Sequence, residues 1–311
     1  MTKSPLHFET WLHYHHTVLG VHRFYIRVED TRCLVTLLQK PPWNELVVAT
    51  FASGAERDYF EQMDRQNLHI ASVIPIARDA GCTHILHIDD DELVYCSAGS
   101  DALKDHLRLV PPHKPDLHMQ NLEALMPSVH GDDVFRQVRA YRHFPTKYCS
   151  YTNGKSFARL DAPGLRSHGP HHFRCATGVA AANSAITHHI PPYLGCVLHF
   201  ESCTYGRWRS KFMDLARRHG DVAEVFAKVP FRFYRESFDA CLRILREESR
   251  RPLDTAVLQS AEHAALDLWC EWKLEPPGLP LVDLSAGPVV LPCGVTILDA
   301  FEFEKGGKFC K

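Results

Sequence analysis

The chain has 311 residues, of which 45% are hydrophobic and 23% are charged, so it is long enough to bury the core of one large domain or two small ones. Its formal net charge of −2 gives no long-range field that would select nucleic acid or an anionic membrane surface. No run approaches the roughly 18 apolar residues of a membrane span, and the 11 cysteines are scattered without a C-x-x-C pair, which favours a reducing, cytoplasmic location.

The first predicted element is a helix. Apolar residues recur at spacings of three and four between Phe8 and Leu19, and Gly20 follows where a left-handed helix cap is expected. The segment VHRFYIRV at 21–28 predicts a strand, and two further apolar segments, CLVTLLQ and ELVVATF, are separated by a pair of prolines.

A second helix and another strand follow in the same order. Residues 57–81 show an amphipathic helical pattern, in which Pro75 should interrupt or kink the helix. The strand HILHI comes next, at 84–88. Helices and strands that alternate at this spacing predict an α/β fold with a mainly parallel sheet flanked by helices.

The second half of the chain changes character. A loop region rich in Gly, Pro and His, GKSFARLDAPGLRSHGPHHF, begins at Gly154, and from Gly206 onward the pattern is helical. The last thirty residues are rich in Pro and Gly and contain a strand-like segment, GVTILDAFEF. We therefore divide the chain into an α/β domain at 1–210 and a helical extension at 211–311.

Four consecutive acids, Asp89 to Glu92, stand directly after the predicted strand HILHI. Like charges at this spacing destabilise one another unless a cation or hydrogen-bond donors compensate. Asp89 and Asp91, at i and i+2 of an extended segment, point to one side and can face one divalent cation, whereas Asp90 faces away. Mg²⁺ or Mn²⁺ held by one or two carboxylates keeps open positions for phosphate oxygens. The alternative is an exposed acidic turn.

Several sequence elements in order resemble one known family. The segment Asp89-Asp90-Asp91-Glu92-Leu93 resembles the D-x-D-E-F element of glycosyltransferases with the A-type (GT-A) fold, especially the group that includes families 2 and 92. The segments ETWLHYHHTVLGVHRFYI, ARDAGCTHILHIDDDEL, GKSFARLD, HGPHHF and HFESCTYGRWRSK are similar to further elements of that family.

The resemblance implies a metal-dependent glycosyltransferase, a hexosyl- or pentosyltransferase that moves a sugar from a nucleotide-sugar donor, with UDP favoured, to a hydroxyl of a glycan or glycoconjugate. Asp89 and Asp91 would bind the metal through the DXD motif, and the family's downstream histidine ligand corresponds to His199. In an inverting enzyme a carboxylate removes the acceptor proton. Glu201 and Asp161 are the candidates for that base. The helical extension would shape the acceptor site, and a Golgi lumen would replace the cytoplasm if an anchor lies outside this sequence.

Further residues are assigned to the donor site by the same resemblance. Glu29 or Asp30 would contact the ribose or base. Cys203 stands where the family carries a basic residue near the diphosphate, and three basic residues are candidates to substitute for it: Lys155, Arg207 and Lys211. Two histidines, His168 and His171, flank a Gly-Pro turn and could line the donor or acceptor site.

Some features favour other interpretations. Family members usually begin with a strand before the first helix, and here only MTKSPLHF precedes Trp11. This departure and Cys203 leave open a catalytically inactive or truncated relative that acts as a binding protein, and a metal-dependent phosphoesterase is a third possibility. His15, on the apolar stripe, is expected to pack in the core, as are Trp208 and the tryptophans at 269 and 272. Oligomeric state has no signal in the sequence.

Overall fold

The computed structural model describes residues 1–52, 61–129, 133–138, 140–142, 148–176 and 186–274. They form two compact units, and each is treated by itself. Unit 1 contains the described residues of Met1–Leu122 and Asn153–His199, and unit 2 contains those of Glu123–Thr152 and Phe200–Thr296. The predicted C-terminal strand GVTILDAFEF lies outside the described residues. The division at residue 210 into a donor domain and an acceptor-shaping extension stays a prediction.

The helices of unit 1 that the structure describes in full are α1 Phe8–His13, α2 Cys33–Leu38, α3 Trp43–Leu46, α4 Gln62–Asp79 and α5 Ser100–Leu109. A π-helical turn, Tyr14–Val18, continues α1, so the predicted opening helix is confirmed. The apolar segment CLVTLLQ forms α2. Helix α4 runs without a break through Pro75, where the sequence predicted an interruption or kink.

The strands of unit 1 are short: β1 Phe24–Glu29, β2 Val47–Ala52, β3 His84–Leu86, β4 Glu92–Tyr95, β5 Asp116–Met119, β8 Lys155–Arg159, β9 Arg166–His168, β10 His172–Arg174, β11 Thr187–His189 and β12 Cys196–His199. Strand β6, Asn121–Leu125, crosses the boundary between the units, and β7, Ala140–Arg142, belongs to unit 2.

The sheets of unit 1 are mixed, and the prediction of a mainly parallel sheet is wrong. Strands β1 and β2 pair in parallel, and a four-stranded sheet has the order β11-β5-β8-β3. Strand β8 is antiparallel to both of its neighbours, whereas β11 is parallel to β5. Strands β4 and β12 are antiparallel, as are β9 and β10. The rule of alternating helices and strands fails because loops, and not helical crossovers, lead into and out of β8.

Hydrophobic clusters stabilise unit 1, and two are formed by residues that the structure describes. In one, the inner face of α4, with Val73 and Ala77, packs with Ala158 and Leu160 from β8 and the residue after it. In the other, residues of α5 pack with β5, β4 and β12, and its most deeply buried members include Leu117 and Val197. Burial of such side chains contributes about 2 to 3 kcal/mol each relative to exposure.

The opening helix contacts the edge of β4 through polar atoms as well as apolar ones. The Trp11 indole Nε1 donates a hydrogen bond of 2.8 Å to the carbonyl oxygen of Glu92, and the Tyr14 hydroxyl donates one of 2.8 Å to that of Val94. His15 is 1% exposed and stacks at a tilt on Trp11, as expected for a residue of the core. These contacts fix α1 beside the strand that begins at the acid cluster.

Unit 2 is mainly helical: α6 Val134–Gln137, α7 Tyr205–Arg218, α8 Val222–Lys228, α9 Arg232–Ser249 and α10 Thr255–Lys273. Its core holds Trp208 and Trp269 with no exposed surface, which confirms their predicted packing role. Each indole has a partner, because Trp208 donates to Ser237 Oγ at 2.8 Å and Trp269 to the Ser202 carbonyl at 2.9 Å. In the described part of the chain, no helix combines the length and the apolar character that crossing a membrane requires.

Candidate functional site

The acid cluster lies where β3 ends and β4 begins, at the predicted place after an apolar strand. Asp90 and Asp91 form the turn between the strands, and Glu92 is the first residue of β4. The four carboxylates have different partners and different exposure. The site is therefore a set of separately positioned groups within unit 1.

The Asp89 carboxylate has an ammonium group as its neighbour. Lys155 Nζ lies 2.5 Å from Asp89 Oδ2, and Gln66 Nε2 donates to Oδ1 at 2.9 Å. Burial opposes ionisation of Asp89, but the positive charge of Lys155 outweighs it and the pKa of the carboxyl falls well below its usual range. The assignment of Asp89 as a metal ligand stays a prediction, and the structure gives its two oxygens protein partners.

Lys155, a candidate contact to the diphosphate, is fully buried. Its Nζ also lies 3.3 Å from Glu92 Oε2, so one ammonium faces two carboxylates. Burial opposes the charged ammonium, yet these two neighbours raise the pKa of Lys155. Gly154 makes the approach of this strand possible: its φ is +58°, and a Cβ atom there would lie 1.9 Å from the Met119 carbonyl oxygen.

Glu92 is the most deeply buried member of the cluster, with no exposed surface. Its Oε2 accepts a 2.8 Å hydrogen bond from the Asp89 backbone N–H, whereas Oε1 is buried without a hydrogen-bond partner. Burial and the negative charge of Asp89 raise the pKa of Glu92 to about 7, against the attraction of Lys155. Sequence reasoning did not single out Glu92, and its place at the start of an apolar strand was the available signal.

Asp91 and His199, which the resemblance assigns as ligands of one cation, lie close together, and their role as ligands stays a prediction. Asp91 Oδ1 lies 4.0 Å from His199 Nε2, and the histidine, the last residue of β12, is buried while the aspartate is partly exposed. Two ligand atoms that each lie about 2.1 Å from a cation are at most about 4.2 Å apart. The pair thus fits a divalent ion between an oxygen and a nitrogen ligand.

The predicted contacts to the ribose or base occupy the end of β1. Glu29 is buried, and its Oε1 lies 3.0 Å from Arg27 Nε and 3.1 Å from Arg65 Nε. Asp30 follows with a φ of +49°, and its carboxylate lies 4.0 Å from the Lys3 ammonium. Glu29 is therefore held by two guanidinium groups, and its role toward a nucleotide stays a prediction.

The two predicted loop histidines flank the turn between β9 and β10. His168 is exposed, whereas the His171 Nδ1 donates a 2.8 Å hydrogen bond to the Gly154 carbonyl beside Lys155. Burial lowers the pKa of His171 to about 4, so its ring is neutral at neutral pH. His171 thus fixes the backbone next to the buried lysine.

Sequence reasoning also missed Asp116, a buried carboxylate of unit 1. Asp116, the first residue of β5, accepts hydrogen bonds from Thr187, from the Phe173 backbone and from His172, whose Nδ1 lies 3.0 Å from it. This carboxylate joins three strands, which local sequence patterns do not reveal.

The two candidate bases are both hydrogen-bonded. In unit 2 the Glu201 carboxylate accepts from Lys211 Nζ at 2.9 and 3.0 Å and from the hydroxyls of Tyr234 and Ser202. Lys211, predicted as a phosphate contact, is therefore the partner of a buried carboxylate. In unit 1, Asp161 pairs with Arg159 through two hydrogen bonds of 3.1 and 2.6 Å, and its side chain is 64% exposed. The role of either as a base stays a prediction.

Comparison with known proteins gives the chain two named relatives. No protein-family model matches the sequence. The chain is 30% identical over 258 residues, 67% of its own length and 52% of the relative's, to an Arabidopsis thaliana protein named glycosyltransferase-like At2g41451. It is 24% identical over 230 residues, 58% of this chain and 44% of the relative, to glycosyltransferase-like At3g57200 from the same plant. The chain is thus similar to glycosyltransferase-like proteins, and it spans about half the length of the curated relatives it matches.

Proposed function

We propose that this chain is a metal-dependent glycosyltransferase of the GT-A type, and that Asp91 and His199 hold its divalent cation. The observation that carries the proposal is the 4.0 Å approach of Asp91 Oδ1 to His199 Nε2 beside the acid cluster. Similarity to proteins named glycosyltransferase-like supports the reaction class. The carboxylate oxygen suits Mn²⁺ or Mg²⁺, and the imidazole nitrogen favours Mn²⁺ of the two.

The cation, when bound, would offset the charge that develops on a departing nucleoside diphosphate. The buried residues around it would hold the ligands in place. Lys155 fixes Asp89 and Glu92 by its ammonium group, and this anchors the two ends of the turn that carries Asp91. Because Asp89 already has this partner, we assign it to the support of the turn, with direct ligation left to Asp91 and His199.

We propose UDP as the carrier of the donor and a hydroxyl of a glycan or glycoconjugate as the acceptor. The reaction would invert the anomeric configuration, with a carboxylate as the base. Asp161 and Glu201 are the candidates for this role. Asp161 has the more accessible carboxylate, because its side chain is 64% exposed and that of Glu201 is 7% exposed, but it follows the end of β8 that lies beside the start of β3, whereas the acid cluster contacts Lys155 at the other end of β8.

The test is calorimetric titration of Mn²⁺ and then of UDP or GDP into the protein and two variants. We expect Asp91→Asn and His199→Gln each to weaken Mn²⁺ binding at least about tenfold, since loss of a ligand exceeds the effect of a supporting residue. Nucleotide binding should fall in parallel and should vanish with chelator. The rate of sugar transfer from sugar donors linked to the nucleotide that binds then measures the activity.

A matched control for the aspartate is Asp105→Asn, which removes an exposed carboxylate on α5. For the histidine it is His263→Gln, on the exposed face of α10. Metal affinity that stays within twofold of the wild type in folded Asp91→Asn protein refutes the assigned ligand.

A second candidate is a nucleotide-sugar binding protein without catalysis, and the pairing of Asp89 with Lys155 favours it. A lysine ammonium supplies the positive charge at this carboxylate without any metal. Nucleotide binding that persists in chelator, together with no transfer, would select this function over the first.

A further inference from the structure

Unit 1 contains a cavity of about 540 Å³ between two strands that belong to different sheets. Its walls include residues of β1, such as Phe24 and Ile26, and of β3, such as Ile85 and Leu86. In the described part of unit 1, β3 is the last strand of its sheet and β1 has only β2 as a full strand partner. The cavity therefore lies between two strand edges.

The register of the ladders shows which backbone groups face this space. In an antiparallel pair, alternate residues exchange both of their backbone bonds with the partner strand. The Leu160 backbone N–H donates to the Thr83 carbonyl, and His84 is opposite Arg159, so the peptide groups of His84 and Leu86 face the edge away from β8. That edge carries no strand among the residues that the structure describes.

The other wall has the beginning of a strand pairing on it. Thr2 forms a parallel bridge with Val28: its N–H donates to the Arg27 carbonyl at 2.8 Å, and its own carbonyl accepts from Glu29 at 2.8 Å. Thr2 also lines the cavity. The edge of β1 opposite β2 can thus pair in parallel, and it does so over one residue at the end of the cavity. Farther along this edge the Tyr25 carbonyl accepts from His69 Nε2 at 3.2 Å, a bond that an incoming strand would replace.

The cavity is apolar over most of its surface, and two buried histidines stand in its wall. His15 is 1% exposed and His87 8% exposed, and both line the cavity. Their Nδ1 atoms lie 2.9 Å from the Trp11 carbonyl and 3.0 Å from the Pro170 carbonyl, so Nδ1 carries the proton of each neutral ring. Each Nε2 is then an acceptor without a hydrogen-bond partner in the described structure, but it has essentially no accessible surface, so it does not itself select the occupant of the cavity.

We propose that this cavity is a docking site for an extended peptide segment of a partner protein, with apolar side chains, which pairs in parallel with β1 and fills the space beside β3. A peptide strand supplies what the walls require: N–H and C=O groups on both of its edges, and apolar side chains. A hydrocarbon ligand would leave the outward-facing backbone groups of His84 and Leu86 without partners, which costs free energy.

The probe is the peptide acetyl-Lys-Val-Ile-Val-Leu-Thr-Lys-amide, added to the full chain up to 1 mM. The matched control is the same peptide N-methylated at Ile and Leu, which keeps the side chains but removes two backbone donors. We expect the first peptide to slow amide hydrogen exchange in β1 and β3 at least tenfold at saturation, with no change in β7. The N-methylated peptide should give no protection.

A second readout uses two cysteines. Cys82 lines the cavity, whereas Cys33 is exposed on α2 and serves as an internal control. The peptide should slow alkylation of Cys82 at least fivefold and leave Cys33 unchanged. Equal binding of both peptides would show a site for apolar ligands in general and overturn the proposal. So would protection that rises with protein concentration alone, which indicates a second copy, or no protection at 1 mM peptide.

Discussion

Lys155 Nζ lies 2.5 Å from Asp89 Oδ2 although the two residues are 66 positions apart and the lysine has no exposed surface. The ion pair joins the start of β8 to the turn after β3. It therefore links the acid cluster to the sheet of unit 1, and it is the first target for mutation.

We expect Lys155→Met to lower the free energy of unfolding by about 3 to 5 kcal/mol, because it leaves the buried carboxylate of Glu92 and the partly exposed one of Asp89 without their cation. Urea unfolding at pH 7, followed by tryptophan fluorescence, measures the change. The triple variant with Asp89→Asn and Glu92→Gln should recover part of the loss. Lys104→Met, at a more exposed ion pair with Asp101, is the control. A loss below 1 kcal/mol would mean that the pair has little effect on stability.

Mutation of Glu123 in unit 2 should lower the free energy of unfolding by a similar amount, for a different reason. Its carboxylate has no exposed surface and accepts hydrogen bonds from the backbone N–H groups of Cys149 and Ser150 and from the Ser150 hydroxyl. Glu123→Ala leaves three donors unpaired, and we expect a loss of about 3 kcal/mol or more. Glu123→Gln, which keeps one carbonyl oxygen, should lose less.

Urea unfolding and hydrogen exchange at residues 149–150 measure the effect of Glu123. The control is Glu224→Ala, which removes a half-exposed carboxylate near Lys228. Equal stability of the alanine and glutamine variants of Glu123 would contradict the assignment of the carboxylate as the acceptor that orders this segment.

His15 makes stability depend on pH. Burial lowers its pKa from 6.5 to about 4 in the folded protein. The unfolded chain therefore binds a proton more readily, so the stabilisation is complete above pH 6.5 and is lost as pH falls toward 4. For this group we expect a loss of about 2 kcal/mol between pH 7 and pH 5. His15→Gln cannot titrate and should show a smaller difference between the two pH values. An unchanged difference would place the pKa of His15 near its ordinary value.

The variant Asp161→Asn tests a catalytic role of Asp161 without a large change in the stability of the protein. The Asp161 side chain is 64% exposed, and its ion pair with Arg159 is at the surface. We expect a change in unfolding free energy within about 0.5 kcal/mol. If the variant also loses about 100-fold or more in kcat for sugar transfer, Asp161 is the base. Unchanged kcat would leave Glu201→Gln as the next variant to measure.

Local patterns predicted the elements with the strongest periodicity. The opening helix, strands β1 and β3, and the helical run of unit 2 followed from apolar spacing, and the core positions of Trp208 and Trp269 followed from the same spacing. The approach of Asp91 to His199 agrees with the resemblance that paired them as ligands. These features depend on short stretches of sequence or on motifs with fixed order.

The features that were missed depend on contacts between distant segments. The antiparallel direction of β8 is set by its neighbours β3 and β5, and neither neighbour is adjacent to it in sequence. The burial of Lys155 arises because a glycine with positive φ brings β8 against Met119, which no periodicity encodes. Asp116 joins three strands in the same way. Charge patterns gave the residue types of the site but not their partners.

The hydrogen bonds from the opening helix to β4 have a consequence for how copies of the protein meet each other. Strand β4 has β12 on one edge, and on the other edge the carbonyl groups of Glu92 and Val94 accept from Trp11 and Tyr14. An open strand edge is a template for pairing with a strand of another molecule, which leads to aggregation. Because two aromatic side chains already donate to these carbonyl groups, an incoming strand would have to displace α1. The acid cluster can therefore lie at the edge of a sheet without promoting aggregation through that edge.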